Sequence, residues 1–389
     1  MHRLAALGLA LCWTSVAAAQ QPVTRTQAIE TSLSRGGRLA IAVADTSAAR
    51  ARLAGARVFQ NPSLSASYSK SPPELHFIVD LPIDLPGLRN ARIASALAGL
   101  RAADYRYRFE KAAAALDADT TFTRALAAAA RARLSERNAL AADTLLQMTV
   151  IRRDAGDASD LEVELARVNA GQQHNLATAD SVELTGLLID LQAVMGTIAE
   201  RPTIVLADTL YLPDSGILAP PPGIPLQIAS GLESVNAAER NVRVEKKSVL
   251  GSPSLMGGVE TRDPGGYENK LLPTFGISIP IPLLNRNSAG IAQARAELLR
   301  ARADLTVTTL EYNATLNRMQ RQRATAYARA VRDRSLLVSA NRVASMSVTA
   351  YRAGAFPLSN VFEAQRTARE VLRQYIDDLA EVWIADANN

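Results

Sequence analysis

The chain has 389 residues, 48% of them apolar, enough for more than one buried core, and this excludes a disordered protein. Aromatic residues are only 5%, while alanine comes in runs at Ala112–Ala115 and Ala127–Ala130, which favours closely packed helices over sheets. The formal net charge of +5 is spread along the sequence, with arginines interleaved among Asp and Glu; no basic stripe with aromatics is present, so nucleic acid is not an expected partner.

The chain opens on Arg3, an apolar stretch from Leu4 to Val16 and the small residues Ala17-Ala18-Ala19, the pattern of a secretory signal over residues 1–19. Cys12, the one cysteine, lies inside it and follows Leu11, not a small residue. The exported chain is thus expected to lack thiols, and with them disulfides, thiolate metal sites and cysteine catalysis. No later stretch of about 20 apolar residues occurs, so any membrane span must be built from strands.

Beyond the signal the sequence is duplicated. Asn61-Pro62-Ser63-Leu64, Leu81-Pro82-Ile83 and Ala155-Gly156 return as Ser252-Pro253-Ser254-Leu255, Ile279-Pro280-Ile281 and Ala353-Gly354. Pro82 and Pro280 are as far apart as Gly156 and Gly354, whereas Pro62 and Pro253 are closer, so the second copy has a longer hairpin loop, at the turn formers Thr261–Tyr267. The repeats span residues 20–200 and 226–389, joined by a linker at 201–225 that contains Pro220-Pro221-Pro222. Each reads as helix, strand hairpin, very long helix, tight turn, long helix.

In the hairpins at 63–83 and 253–281 the apolar residues alternate with period two. Leu64, Ala66 and Tyr68 share a face against serines, and Phe77 and Val79 alternate with His76, Ile78 and Asp80. Leu255, Gly257 and Val259, then Phe275, Ile277 and Ile279, repeat the pattern. A face of each kind suits a membrane barrel with a wet lumen, and Leu64, Tyr68, Phe77, Val79, Phe275 and Ile277 are the expected lipid-facing residues. A small soluble sheet packed on a helix would show the same alternation. Four strands cannot close a barrel, so strands in lipid require the chain to oligomerise.

Long helices are expected at 87–151 and 286–351, without proline, each reaching about 90 to 100 Å. In the second, Ile291, Leu298, Leu305, Tyr312 and Met319 recur as a heptad seam. Return helices at 158–198 and 357–386 follow Gly156 and Gly354, residues free to reverse the chain at positive φ. Leu161, Leu165 and Val168 open a stripe in the first, and Leu358, Val361, Gln365, Ala368, Leu372, Tyr375, Leu379 and Trp383 form one in the second.

The run Ile279-Pro280-Ile281-Pro282-Leu283-Leu284-Asn285-Arg286, with Ala289–Ala296 after it, resembles the strand end and asparagine-led helix start of the TolC-like outer-membrane efflux channel family. Tyr351-Arg352-Ala353-Gly354 with Val361–Ala364 is similar to that family's second hairpin tip, and Gly156, Glu162, Val163, Ala166 and Arg167 to its first. The resemblance covers nearly all of the exported chain, and its corners resemble the heavy-metal cation efflux branch. It implies a mostly α fold with a small β part. Long helical hairpins of three chains would form a trimeric α-barrel across the periplasm, and four strands per chain would complete a twelve-stranded outer-membrane β-barrel. It further implies a passive channel, not an enzyme, working with a periplasmic adaptor and an inner-membrane transporter for drugs or metal cations. Gly36-Gly37 departs from the family's usual Asn-Pro pair.

The same resemblance places a periplasmic gate and adaptor tip at Gly156, Glu162, Tyr351, Gly354, Asn360 and Glu363, with Asn360 replacing the usual aspartate. Asp154, Asp157, Asp160, Glu162 and Glu164 also cluster at the first tip, where Arg152, Arg153 and capping by Asp157 and Asp160 account for most of them. His2, His76 and His174 are scattered, so no metal, cofactor or catalytic site is expected, and His76 reads as a lumen-facing polar residue. The exit duct of a type I protein secretion system, with the same fold, and a structural coiled-coil envelope protein are the alternatives.

Overall fold

The computed structural model describes residues 21–85, 87–197, 200–213, 223–262 and 271–387. The signal expected at 1–19, the triple proline of the linker and the loop residues Asp263–Tyr267 lie outside the described residues.

The elements in order are β1 (Gln21–Val23), α1 (Arg25–Arg35), α2 (Gly37–Arg57), β2 (Ser63–Tyr68), β3 (Leu75–Pro82), α3 (Leu88–Asp154), α4 (Asp160–Val194), β4 (Ile204–Leu206), α5 (Leu226–Lys247), β5 (Ser254–Thr261), β6 (Leu272–Ser278), α6 (Ser288–Arg352) and α7 (Leu358–Ala387). The duplication is plain in this order: α2–β2–β3–α3–α4 returns as α5–β5–β6–α6–α7, with α3 and α6 of 67 and 65 residues. Two features were not expected. The first helix of the chain breaks at Gly36 into α1 and α2, and the stretch expected to be only a linker contains β4, which pairs in parallel with β1.

The described residues form two compact units, and α3 and α6 contribute to both. One unit holds α1, β1, α3 from Leu116, α4, β4, α6 from Arg323 and α7. Its interior starts where Val23 of β1 and Ile204 of β4 pack with Ala28, Phe122, Leu126, Leu191 and Met195. Arg25 ties the same region together: it pairs with Asp119 at 2.9 Å, donates to Thr123 Oγ1 at 3.0 Å and lies over the Trp383 ring at 4.0 Å. Further along, Ala326 and Ala330 meet Leu379 and Val382, and Ala127 meets Ile376 and Ala380. Alanine at these buried positions lets helix backbones approach closely, which is what the alanine runs supply.

The α7 stripe is mostly inside: Leu358, Val361, Ala368 and Leu379 are buried. The corresponding stripe of α4 is not. Leu161, Leu165 and Val168 are exposed, and Val163, Ala166 and Ala170 are buried instead. Both sets repeat with helical spacing, and within one chain the smaller set makes the closer packing.

The other unit holds α2, β2, β3, α3 to Ala115, α5, β5, β6 and α6 to Gln322. The heptad residues Ile291, Leu298, Leu305, Tyr312 and Met319 are each half-buried, and Leu305 lies over Gly231 of α5, where an added Cβ would come within 2.9 Å of it. The four strands form one antiparallel sheet in the order β2-β3-β5-β6, so β3 and β5 join the hairpins of the two repeats.

Candidate functional site

The sheet's register decides which side chains share a face. Leu64 stands opposite Val79, Ala66 opposite Phe77 and Tyr68 opposite Leu75. Phe77 pairs with Val259, Val79 with Gly257 and Leu81 with Leu255; Gly257 and Leu255 in turn pair with Phe275 and Ile277. Directly opposed residues of antiparallel strands project to one side. Leu64, Tyr68, Phe77, Val79, Phe275 and Ile277 therefore share one face, and all are exposed, Phe275 to 84%. The opposite face carries serines 63, 65 and 67, His76, Asp80, Glu260, Thr274 and Ser278. There His76 Nδ1 lies 3.2 Å from Glu260 Oε1, its cross-strand partner. Gly258 is required between the hairpins, since a Cβ there would run into the Phe77 carbonyl oxygen of β3. The outer edges of β2 and β6 have no strand beside them in the described chain.

Sheet and helices meet at a corner held from within by Asn287. Its φ is +52°, and its Nδ2 lies 3.0 Å from the Glu245 carbonyl, 2.7 Å from Glu245 Oε2 and 2.9 Å from Ser248 Oγ. A Cβ at Gly290 would enter the space of Asn287 and Glu245, which explains that glycine so early in α6. Asn285, expected to lead the helix, instead accepts the Asn287 N–H at 2.9 Å, and α6 begins at Ser288.

The hairpin tips belong to the other unit. At the first, Gly156 has φ +85°, its N–H donates to the Arg153 carbonyl and the Asp157 N–H donates to the Arg152 carbonyl. At the second, Gly354 has φ +73°, its N–H donates to the Tyr351 carbonyl and the Ala355 N–H to the Ala350 carbonyl. Both ends are the same left-handed helix stop. Tyr351 is buried to 1% exposure with Leu145, Ala166, Leu358 and Val361, so it is an anchor of the tip and not a surface group.

The acids at the tips are engaged locally. Ser159, not Asp157 or Asp160, caps α4: its Oγ accepts the Glu162 N–H at 3.3 Å, and Glu162 Oε2 accepts the Ser159 N–H at 3.1 Å. The pattern was readable as Ser-x-x-Glu before an apolar run. Glu363 accepts from Arg366 Nη2 at 2.8 Å, which holds its carboxyl below the usual range. Asn360 is exposed in the first turn of α7. The hydrogen bond from Arg152 Nη1 to the Tyr351 carbonyl joins the two tips and left no trace in the sequence. Among the described residues no group of three or more His, Cys, Asp or Glu side chains is placed to hold a metal ion, and no helix is long and apolar enough to cross a membrane.

Residues 227–388, the second repeat, match the family model described as Outer membrane efflux protein. The relatives of the chain include the nickel-cobalt-cadmium resistance protein NccC of Alcaligenes xylosoxydans xylosoxydans, 26% identical over 300 residues, which cover 74% of this chain and 67% of that protein. In fold, the chain is similar to a membrane protein from Pseudomonas aeruginosa, with a TM-score of 0.78, 18% identity and coverage of 94% of this chain and 92% of that one. It is also similar to the outer membrane protein VceC of Vibrio cholerae, with a TM-score of 0.75, 16% identity and coverage of 93% and 94%. Both likenesses run through both repeats, so the first repeat shares the fold of these membrane proteins as well.

Proposed function

We propose that the chain is the outer-membrane channel subunit of a tripartite efflux system, conducting substrates passively from an inner-membrane transporter and a periplasmic adaptor to the exterior. The observation that carries this reading is the sheet: one face is apolar and exposed across all four strands, the other is mostly polar, and among the described residues neither edge has a strand beside it. A sheet of this kind in lipid must have its edges paired by further copies, and three chains close a twelve-stranded barrel. Leu64, Tyr68, Phe77, Val79, Phe275 and Ile277 then face lipid, and His76 and Glu260 face the lumen.

The tips at Gly156 and Gly354 meet the adaptor, and Glu162, Tyr351, Asn360 and Glu363 stand in the gate region. Because Glu363 is paired with Arg366, the gate is a weaker acidic ring than three free carboxylates would form. The relative whose name specifies nickel, cobalt and cadmium favours metal cations as the substrate. The experiment is deletion of the gene followed by growth on nickel, cobalt, cadmium and a panel of drugs. Sensitivity to the metals, restored by the intact chain, supports this substrate class; unchanged metal tolerance with drug sensitivity contradicts it.

A further inference from the structure

The strands are short for a membrane. β6 has 7 residues and β2 has 6, whereas a tilted barrel strand needs about 9 to 11 to cross the hydrocarbon. The apolar alternation nevertheless continues along the chain past the last ladder bond. After Phe275 and Ile277 the same alternation runs on through Ile279, Ile281 and Leu283, all exposed, and ends on Leu284, which is exposed completely.

This continuation suits a place where backbone cannot find strand partners. Pro280 and Pro282 have no N–H, and the Leu283 N–H donates to the Ile281 carbonyl at 2.8 Å. The Asn287 knot fixes the segment from behind, and Gly251 lies against Pro280. The apolar side chains therefore project from a fastened corner.

Around this corner the helix ends are basic and mutually bonded. Arg89 donates to the Arg57 carbonyl at 2.7 Å, and Lys247 Nζ donates to the Gly87 carbonyl at 3.2 Å. Arg57, Lys246 and Arg286 are exposed. The acids at the same level are taken: Asp84 is paired with Arg92, and Glu245 with Asn287.

Resting on the reading that the sheet lies in the outer membrane, we propose that residues 279–284 and the basic helix ends beside them form an interfacial collar that docks the headgroups of the inner leaflet. Ile281, Leu283 and Leu284 enter the acyl boundary, and Arg57, Lys246 and Arg286 hold anionic lipid phosphates. Continuity with the sheet's apolar face and the positive charge both select lipid as the occupant.

The test uses the full chain with Cys12→Ser, carrying one cysteine labelled with bimane at Leu284→Cys, Phe275→Cys or Leu310→Cys. Each is reconstituted in phosphatidylethanolamine–phosphatidylglycerol vesicles with or without bromine high on the acyl chains. The labels at 284 and 275 should each lose about half of their fluorescence to brominated lipid, and the label at 310, exposed on α6, should lose none. Replacing phosphatidylglycerol by phosphatidylcholine should weaken quenching at 284 and leave 275 unchanged. Quenching at 275 without quenching at 284, or a disulfide between Leu284→Cys residues of two copies, overturns the collar and leaves the membrane reading standing. No quenching at either position overturns both.

Discussion

Arg152 Nη1 donates to the Tyr351 carbonyl at 2.6 Å, while its guanidinium lies 4.5 Å from the centre of the Tyr351 ring. The Tyr351 hydroxyl completes the joint at 3.3 Å from Thr149 Oγ1. One arginine at the end of α3 thus binds the last turn of α6, fastening the tip of one repeat to the tip of the other. Arg152→Ala removes two charge-assisted hydrogen bonds, to the Tyr351 and Asp157 carbonyls, and a cation–π contact, together about 1 to 3 kcal/mol. Amide hydrogen exchange over residues 149–157 and 349–356 should speed up about tenfold, with exchange in the rest of α3 unchanged. Arg152→Lys, which lacks the planar fork, should recover only part of the protection. Unaltered exchange in Arg152→Ala would show that the joint does not hold the tips.

Gly354 reverses the chain at positive φ, and among the described residues beyond its chain neighbours only the Arg152 guanidinium comes within 4 Å of where a side chain would start, at 3.9 Å. The penalty of substitution is therefore conformational. Gly354→Val should lower stability by about 1 kcal/mol or more, and Gly354→Asn by clearly less. Melting of the purified variants measures this; equal losses for Val and Asn would mean that positive φ is not the constraint.

Phe275 and Ser278 lie three residues apart on β6, on opposite faces of the sheet. An arginine on the lipid face near mid-bilayer is expected to cost about 2 to 4 kcal/mol, whereas the lumen face accepts charge. Phe275→Arg should sharply reduce the assembled protein recovered from membranes, and Ser278→Arg should not. Equal recovery would show that the faces are assigned the wrong way round.

Asp378, 1% exposed on α7, has its carboxyl pushed up to about 6 by burial and by a hydrogen bond with the Asp333 carboxyl of α6, against the pull of Arg329 at 3.2 Å and of Gln374. Since its folded value lies above the ordinary 3.8, the protonated form favours the fold. That contribution is present below about pH 4 and is lost as pH rises through 6. Melting temperatures of the chain and of Asp378→Asn, compared from pH 4 to 8, should diverge between pH 4 and 6 in favour of the variant and then run parallel. Parallel curves throughout would place the Asp378 titration elsewhere.

The sequence displayed what has a period. Alternation at Leu64–Tyr68 and Phe275–Ile279 marked the strands and their faces, and the heptad from Ile291 to Met319 marked α6, because each pattern is local and repeated. It concealed what depends on distant pairing. Gln21–Val23 is a strand only because Ile204–Leu206 lies beside it, and two three-residue segments leave no periodic trace. The Arg152–Tyr351 joint links residues 199 apart, so nothing in either neighbourhood announces it. In α4 two apolar stripes compete, and the choice of Val163 and Ala166 over Leu161 and Leu165 is made by the helices packed against them.

The central claim is that the four-stranded sheet is one third of a closed barrel. Native mass of the full chain extracted in mild detergents measures it directly. Three copies per particle is the predicted result, since three chains pair the β2 and β6 edges and leave none open. A stable monomer or dimer in every detergent would contradict it.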